Sequence, residues 1–145
     1  MMDATRPDAN QMIPFEEFFD LEEIQKIQDS FALATGVASV ITTPDGRPLT
    51  RPSNFTRLCS QIIRASRVGS ENCMRSDALL GAYNPDGPNI RRCISGGLWD
   101  AGVSITVGGR HVANWLVGQV RSCLEDDDAM LGYARTIGAD VREYK

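Results

Sequence analysis

Three cysteines are the first residues of this chain whose chemistry needs an explanation. Cys59, Cys73 and Cys93 are separated by 14 and 20 positions, whereas zinc knuckles are recognised by paired ligands about two residues apart. The spacing leaves three interpretations open: buried thiols that line a core or pocket, ligands of a zinc or iron centre, or a redox pair. A metal would need a fourth ligand, and neither His111 nor Cys123 is an obvious one.

A glycine-rich string provides the next candidates. Gly96 and Gly97 allow unusual backbone angles next to Trp99, a large flat apolar wall, and Asp100, a carboxylate inside a predicted strand. An acid in that position needs hydrogen-bond partners or solvent. The two side chains either form the mouth of a small-ligand pocket or are a core tryptophan and an edge aspartate held by backbone amides.

Two further strings extend the candidate ligand site. Asn54 and Phe55 stand at the start of a predicted helix, where an amide and free N–H groups can hold an oxygen, although Asn54 is also a suitable cap. Strand alternation places Trp115 and Gln119 on one face; Trp115 alone is more typical of a core, whereas Gln119 would need a buried partner. The predicted ligand-binding set is Asn54, Phe55, Trp99, Asp100, Trp115 and Gln119.

Catalytic and nucleic-acid motifs are missing from the sequence. It contains no GxxxxGK, no GxGxxG and no serine, histidine and aspartate in an order that indicates a triad. The single histidine lies in a predicted hairpin, so a Cys–His nucleophile pair has no support. Arginines make the central helices basic, but neither a recognition helix nor stacking aromatics accompany them. We therefore predict a non-enzymatic domain that does not itself bind nucleic acid.

Helices and strands must hold the candidate residues in place. The clearest predicted helix is the first one along the chain. Asp20 with Glu23 resembles a capping box, and Gly36 stands where a helix ends. Apolar side chains recur between them at helical spacing, which predicts a buried apolar face. They are Leu21, Ile24, Ile27, Phe31 and Ala34. The preceding residues 1–14 are polar, contain two prolines and predict a flexible leader.

Two central helices are predicted to carry the first two cysteines. They span 54–66 and 70–83, with Ser53 and Ser70 as N-caps and Gly69 as the break between them. Because both helices are short and close in sequence, we expect their cysteines to converge with the third one on a single pocket.

The other segments predict strands and a last helix. The predicted strand regions are 37–50 around Asp45-Gly46, 91–95, and 98–120 around Gly108-Gly109. Residues 125–138 begin with acids that complement a helix N-terminus and continue with helical spacing. The pattern predicts an α+β domain, with an antiparallel β-sheet and helices packed on one face.

Length and composition agree with one small domain. The chain has 145 residues, 42% of them hydrophobic, and a net charge of -4, which excludes a polyelectrolyte tail. No apolar stretch approaches the roughly 20 residues of a membrane span, and no secretory signal opens the chain. Four cysteines are too few for a disulfide scaffold. We predict a cytoplasmic protein without a membrane partner.

Several longer strings carry a family resemblance. From about Phe18 to Asp140 the chain resembles the PocR sensory domain of bacterial and archaeal signalling proteins. The most specific strings are PSNFTRLC at 52–59, the NC and SD of NCMRSD, and GGLWDAG at 96–102 with ANWLVGQV downstream. The resemblance implies a variant of the PAS-like fold that senses small hydrocarbon derivatives such as short diols. It also implies fusion to a histidine kinase of a two-component system or to a transcription regulator, and cysteines that recur at these positions.

The resemblance and the residues together predict a sensor without its own output. The sequence has neither a kinase phosphoacceptor segment nor a helix-turn-helix, so an attached or partner kinase or regulator must supply the response. We predict one sensory domain over 15–145, continuing into a further helix or output domain, and a homodimer formed through Phe15, Phe18, Phe19 and the first helix. The ligand is a small organic molecule; the alternative is a metal- or redox-responsive module with zinc or iron at the three cysteines.

Overall fold

The computed structural model describes residues 14–122 and 127–142. In chain order it contains a 3₁₀ helix Phe15–Glu17, α1 Leu21–Thr35, β1 Ala38–Thr42, a π-helix Leu58–Ile63, α2 Arg67–Leu80, β2 Asn89–Arg92, β3 Trp99–Val107, β4 Arg110–Val120 and α3 Asp127–Thr136. The predicted leader up to residue 13, Cys123 and residues 143–145 lie outside the described residues. Within the described part, no helix combines the length and apolar character that a membrane span requires.

The four strands form one antiparallel sheet in the order β1-β4-β3-β2. Gly108 and Gly109, with φ of 57° and 77°, make the tight turn between β3 and β4 as predicted. The second run of the predicted ribbon at 37–50 is reduced to a single bridge between Thr42 and Pro48. The α+β class and the antiparallel sheet are confirmed.

Helix α1 has the predicted ends but a different buried face. The Asp20 carboxylate accepts hydrogen bonds from the backbone of Glu22 and Glu23, and Gly36 ends the helix at φ 74°. The buried side chains, however, are Gln25, Gln28 and Ala32. The predicted stripe is buried only in part: Leu21 and Ile24 pack against the cluster that contains Ile41, whereas Ile27 is 55% exposed.

The two buried glutamines form hydrogen bonds with backbone groups that lie outside the regular strands. Gln25 donates to the Arg51 carbonyl at 3.1 Å and accepts from the Arg51 N–H at 2.8 Å. Gln28 donates to the same carbonyl at 2.8 Å and to the Ser53 hydroxyl at 2.7 Å. Because the segment that carries Arg51 has no full strand partner, these amides satisfy buried groups that would otherwise be unpaired.

The central helices begin elsewhere than predicted. Ser66, rather than Ser70, caps α2 by accepting from the Gly69 N–H at 3.0 Å. Gly69 therefore lies inside the first turn and does not break the chain; a Cβ there would approach the Ile63 carbonyl and lie 2.8 Å from the Ile137 Cδ1 atom. Its role is close packing. Ser53 is not a cap either, because its hydroxyl donates to the Asp29 carboxylate at 2.6 Å.

The helices divide between the two faces of the sheet. The prediction had the helices on a single face. In the structure, Leu80 of α2 packs with Val40 and Leu116 on one face. On the opposite face, Phe15 is 3% exposed and belongs to a cluster with Ile41 that includes residues of α1. A third cluster joins the π-helix and α2 to α3. It comprises Leu58, Cys59, Ile62, Ile63, Cys73, Leu98, Met130, Ala134 and Ile137.

Candidate functional site

A small cavity lies where the π-helix, α2 and the loop before β3 meet the sheet. Its volume is about 30 Å³, which is room for one or two water molecules. Apolar side chains, among them Val40, Leu98 and Leu116, form much of the wall. The polar side chains in the wall belong to Arg64, Asp77, Ser95, Asp100 and Gln119. π-Helices are rare and often occur at functional sites, so the location of this cavity beside one is notable for function.

All three predicted cysteines line this cavity. Cys59 lies on the π-helix, Cys73 on α2 and Cys93 directly after β2. Burial raises the pKa of Cys59 to about 11 and that of Cys93 to about 12, and it also raises the pKa of Cys73. The three side chains are therefore neutral thiols near pH 7, and their geometry is that of pocket-lining thiols.

The described side chains are not arranged as a metal site around these thiols. Over residues 14–122 and 127–142, no three histidine, cysteine, aspartate or glutamate side chains are grouped as a ligand set. Zinc or iron at Cys59, Cys73 and Cys93, and a redox pair among them, stay predictions.

Half of the predicted ligand-binding set lines the cavity. Phe55, Asp100 and Gln119 are in its wall. Asn54 instead has φ 53° and donates its side-chain amide to the Gly36 carbonyl at 2.8 Å, beyond the end of α1. Asn54 therefore does not cap the helix that follows it, whose N-cap is Arg57; its amide holds the backbone at the end of α1 instead.

The two tryptophans lie away from the cavity. Trp99 is 37% exposed, and the Arg92 guanidinium carbon lies 5.5 Å from its ring centroid. Trp115 is on the opposite face of the sheet, where its ring meets Phe31 edge-on at 5.7 Å and its N–H donates to the Ser39 hydroxyl at 2.8 Å. Trp115 is thus part of the packing between the sheet and α1.

A β-bulge separates Gln119 from Trp115. Trp99 pairs with Val120 and Ala101 with Val117, so β4 has one extra residue in this interval. Within the bulge, Gly118 has φ 151° and Gln119 has φ 57°. The expectation that Trp115 and Gln119 share a face is wrong, because the extra residue interrupts the alternation and turns Gln119 towards the cavity.

The bulge also holds Asp100. The Gln119 N–H donates to the Asp100 carboxylate at 2.6 Å, and the Gln119 side-chain carbonyl accepts from the Thr56 N–H at 2.7 Å. Burial raises the pKa of Asp100, while the hydrogen bond from the Gln119 N–H opposes that rise. Gln119 therefore connects the sheet to the residues that lead into the π-helix.

Arg64 and Asp77 form a buried ion pair in the cavity wall. Their side chains are 18% and 8% exposed, with 3.0 Å between Arg64 Nη2 and Asp77 Oδ2. Burial raises the pKa of Asp77 to about 6, against the effect of the nearby Arg64 charge. The Arg64 guanidinium also lies 4.8 Å from the centroid of the Phe55 ring.

Arg64 has one N–H that no protein group accepts. Among the residues that the structure describes, Arg64 Nε is the only buried side-chain nitrogen or oxygen found without a hydrogen-bond partner. Neither Arg64 nor Asp77 belongs to the predicted ligand-binding set. The SD of NCMRSD contains Asp77 and is the one signal that could have located the pair.

Ser95 joins the cavity to α3. Its hydroxyl lies 2.8 Å from the Tyr133 hydroxyl and accepts from the Cys73 thiol at 3.3 Å. The Ser95 carbonyl accepts from the Cys93 thiol at 3.2 Å. Ser95 is 2% exposed, so these contacts are shielded from water. The apolar walls and few polar groups of this cavity are the mixture that small-ligand sites use.

Comparison with known proteins gives one family and one curated relative. The model of the family described as "Sensory domain found in PocR" matches residues 17–145. The regulatory protein PocR of Salmonella typhimurium is 38% identical over 102 residues, which are 69% of this chain and 33% of that protein. The chain thus spans about a third of the length of this relative. No solved structure matches the chain.

Proposed function

Since this chain belongs to the family of sensory domains found in PocR, we propose that its cavity binds a small, uncharged organic molecule with a hydroxyl group, such as a short diol. The observation that carries this proposal is the buried N–H of Arg64 Nε, which lacks an acceptor. A buried donor without a partner costs about 1–3 kcal/mol. A ligand oxygen at that nitrogen would recover this free energy.

A hydroxyl matches the charges around Arg64 better than a carboxylate does. It accepts from the Arg64 N–H and donates its own proton to Asp77 or Asp100, which interact electrostatically with Arg64. A ligand carboxylate would also meet these two acids, and like charges at short range in a buried site are unfavourable. The chemistry of the wall therefore favours a neutral ligand.

The size of the cavity favours a short ligand. A volume of about 30 Å³ is smaller than a diol of three carbons. The wall must therefore rearrange when a ligand binds, and we propose that it opens at the contact between Arg64 and the Phe55 ring. The carbon chain would then lie against Leu98 and Leu116.

The output lies beyond this domain in our proposal. The chain corresponds to about a third of a regulatory protein, so an attached or partner histidine kinase or transcription factor would respond to the ligand, in the cytoplasm. The exposed Phe18 and Ile27 offer apolar surface for the predicted homodimer, which sedimentation at micromolar concentration would test.

The second candidate is a metal- or redox-responsive module. The observation in its favour is that Cys59, Cys73 and Cys93 line one cavity. Elemental analysis of protein purified without oxygen separates the two proposals. Stoichiometric zinc or iron that is lost in Cys73→Ser would support the metal, whereas a metal-free folded protein would remove it.

Calorimetry with propane-1,2-diol tests the ligand proposal, with propionate as a charged probe of similar size. We expect the diol to bind and propionate to fail. Arg64→Lys keeps the positive charge but removes the Nε donor, and we expect at least a tenfold weaker affinity, or about 1.4 kcal/mol. The matched control is Arg67→Lys, because the Arg67 side chain is 82% exposed. No binding by a broad panel of short diols and alcohols, or equal weakening by both variants, would contradict the proposal.

A further inference from the structure

A chain of hydrogen bonds leads from the cavity wall to the last described helix. The Cys73 thiol donates to the Ser95 hydroxyl, and that hydroxyl meets the Tyr133 hydroxyl of α3 at 2.8 Å. Asn72, next to Cys73 on α2, donates its side-chain amide to the same Tyr133 oxygen at 3.1 Å. Tyr133 is therefore held by two residues, one of which lines the cavity.

The position of α3 depends on such contacts because the helix is short. It has 10 residues, and isolated helices below about 12–15 residues are marginal in water. Its docking rests on the buried Met130, Ala134 and Ile137, together with the hydrogen bonds of Tyr133. Losing a contact with the cavity wall should therefore loosen the whole helix.

Ser95 lies in a turn whose backbone is fixed. The Cys93 N–H donates to the Leu98 carbonyl at 2.7 Å, and the Gly97 N–H donates to the Cys93 carbonyl at 3.0 Å. Gly96 and Gly97 have φ of 97° and 78°, which side chains disfavour. Since the backbone is held, a molecule in the cavity would act on the hydroxyl of Ser95 and its hydrogen-bond partners.

We propose that Ser95 and Tyr133 are positioning residues through which occupancy of the cavity loosens the docking of α3. This inference rests on the proposed function, because it takes the same cavity as the ligand site. An occupant that hydrogen-bonds to the Ser95 hydroxyl competes with the Ser95–Tyr133 bond. Coupling between two sites is reciprocal, so weakening the docking of α3 must in turn strengthen binding in the cavity.

Hydrogen exchange over residues 127–142 measures the docking, with propane-1,2-diol as the probe. In the wild type we expect saturating diol to raise exchange several-fold. In Tyr133→Phe, exchange should be high already and independent of the diol, and the diol should bind about fivefold more tightly. A purely structural role for Tyr133 would not strengthen binding at a distance. Tyr83→Phe is the control, since Tyr83 is 69% exposed.

Two results would overturn the inference even if no diol binds. Cys73→Val enlarges the side chain in the cavity and removes the thiol that donates to Ser95, so it imitates occupancy. We expect it to raise α3 exchange in the wild-type background and to add nothing in the Tyr133→Phe background. Ser95→Ala, which removes only a hydroxyl, should raise exchange as Tyr133→Phe does. Unchanged α3 exchange in Cys73→Val or Ser95→Ala would refute the link, whereas a wild type that binds no diol would refute the proposed function.

Discussion

The buried carboxyl of Asp77 should make the protein less stable as the pH rises from 4 to 7. Its side chain is 8% exposed and forms an ion pair with Arg64. Burial raises its pKa from the ordinary 3.8 to about 6 despite that partner. The cost of desolvation therefore exceeds the gain from the pair, as is common for buried ion pairs. Asp77→Asn removes the titration and keeps the size of the side chain.

The pKa of Asp77 gives the magnitude and the sign. A rise from 3.8 to about 6 corresponds to about 3 kcal/mol, at 1.36 kcal/mol per pH unit. In this interval the folded state holds a proton that the unfolded state has released. The stabilisation is therefore complete below pH 3.8 and is lost as the pH passes 6. At pH 4 the unfolded carboxyl is still partly protonated, so between pH 4 and pH 7 Asp77→Asn should gain about 2 kcal/mol in free energy of unfolding relative to the wild type.

Urea unfolding of both proteins at several pH values between 4 and 7.5 measures this difference. Because the other carboxyls titrate in both proteins, they cancel when one curve is subtracted from the other. Parallel curves, with a constant difference across the range, would show that the carboxyl of Asp77 is not desolvated as the structure indicates.

Two more substitutions test the backbone features of the fold. Gly118→Ala should lower the free energy of unfolding by more than about 2 kcal/mol, because the new Cβ would lie 2.7 Å from the Trp99 carbonyl oxygen, at a φ of 151°. Gly132 lies in α3 with open space around it, so Gly132→Ala should instead raise the free energy of unfolding by about 0.5–1 kcal/mol. Thermal unfolding compares the two, and equal effects would contradict the close approach at the bulge. Asp20→Ala should cost about 1 kcal/mol through loss of the α1 cap, and an unchanged melting temperature would show that the cap contributes nothing.

Local signals allowed a correct prediction of several elements. The ends of α1 and the turn at Gly108 and Gly109 follow from residues that are neighbours in sequence, because caps and tight turns depend on nearby backbone angles. The role of Gly69 was predicted wrongly because the atoms that require a glycine there belong to other elements. The Ile63 carbonyl and the Ile137 side chain leave no room for a Cβ. Periodicity also failed for Gln25, since hydrogen bonds to the backbone of Arg51 override hydrophobic spacing.

The candidate site was predictable to a similar extent. The convergence of the three cysteines on one pocket was expected from their predicted elements. Arg64 and Asp77 were missed because their contact joins two helices and follows no short spacing. Strand alternation placed Gln119 beside Trp115, and nothing in the local sequence reveals the register shift that moves it. Contacts made between elements thus determine the part of the site that the sequence conceals.

The bulge in β4 separates the part of the strand that pairs within the sheet from the residue that turns towards the proposed ligand site. Loss of Gly118 would leave β4 with regular alternation and would preserve its pairing with β1 and β3 up to Val117. Gln119 would then point away from the cavity, and Asp100 and Thr56 would lose the partner that they share. If the cavity is the ligand site that we propose, deletion of this one residue would remove binding while it leaves most of the sheet in place.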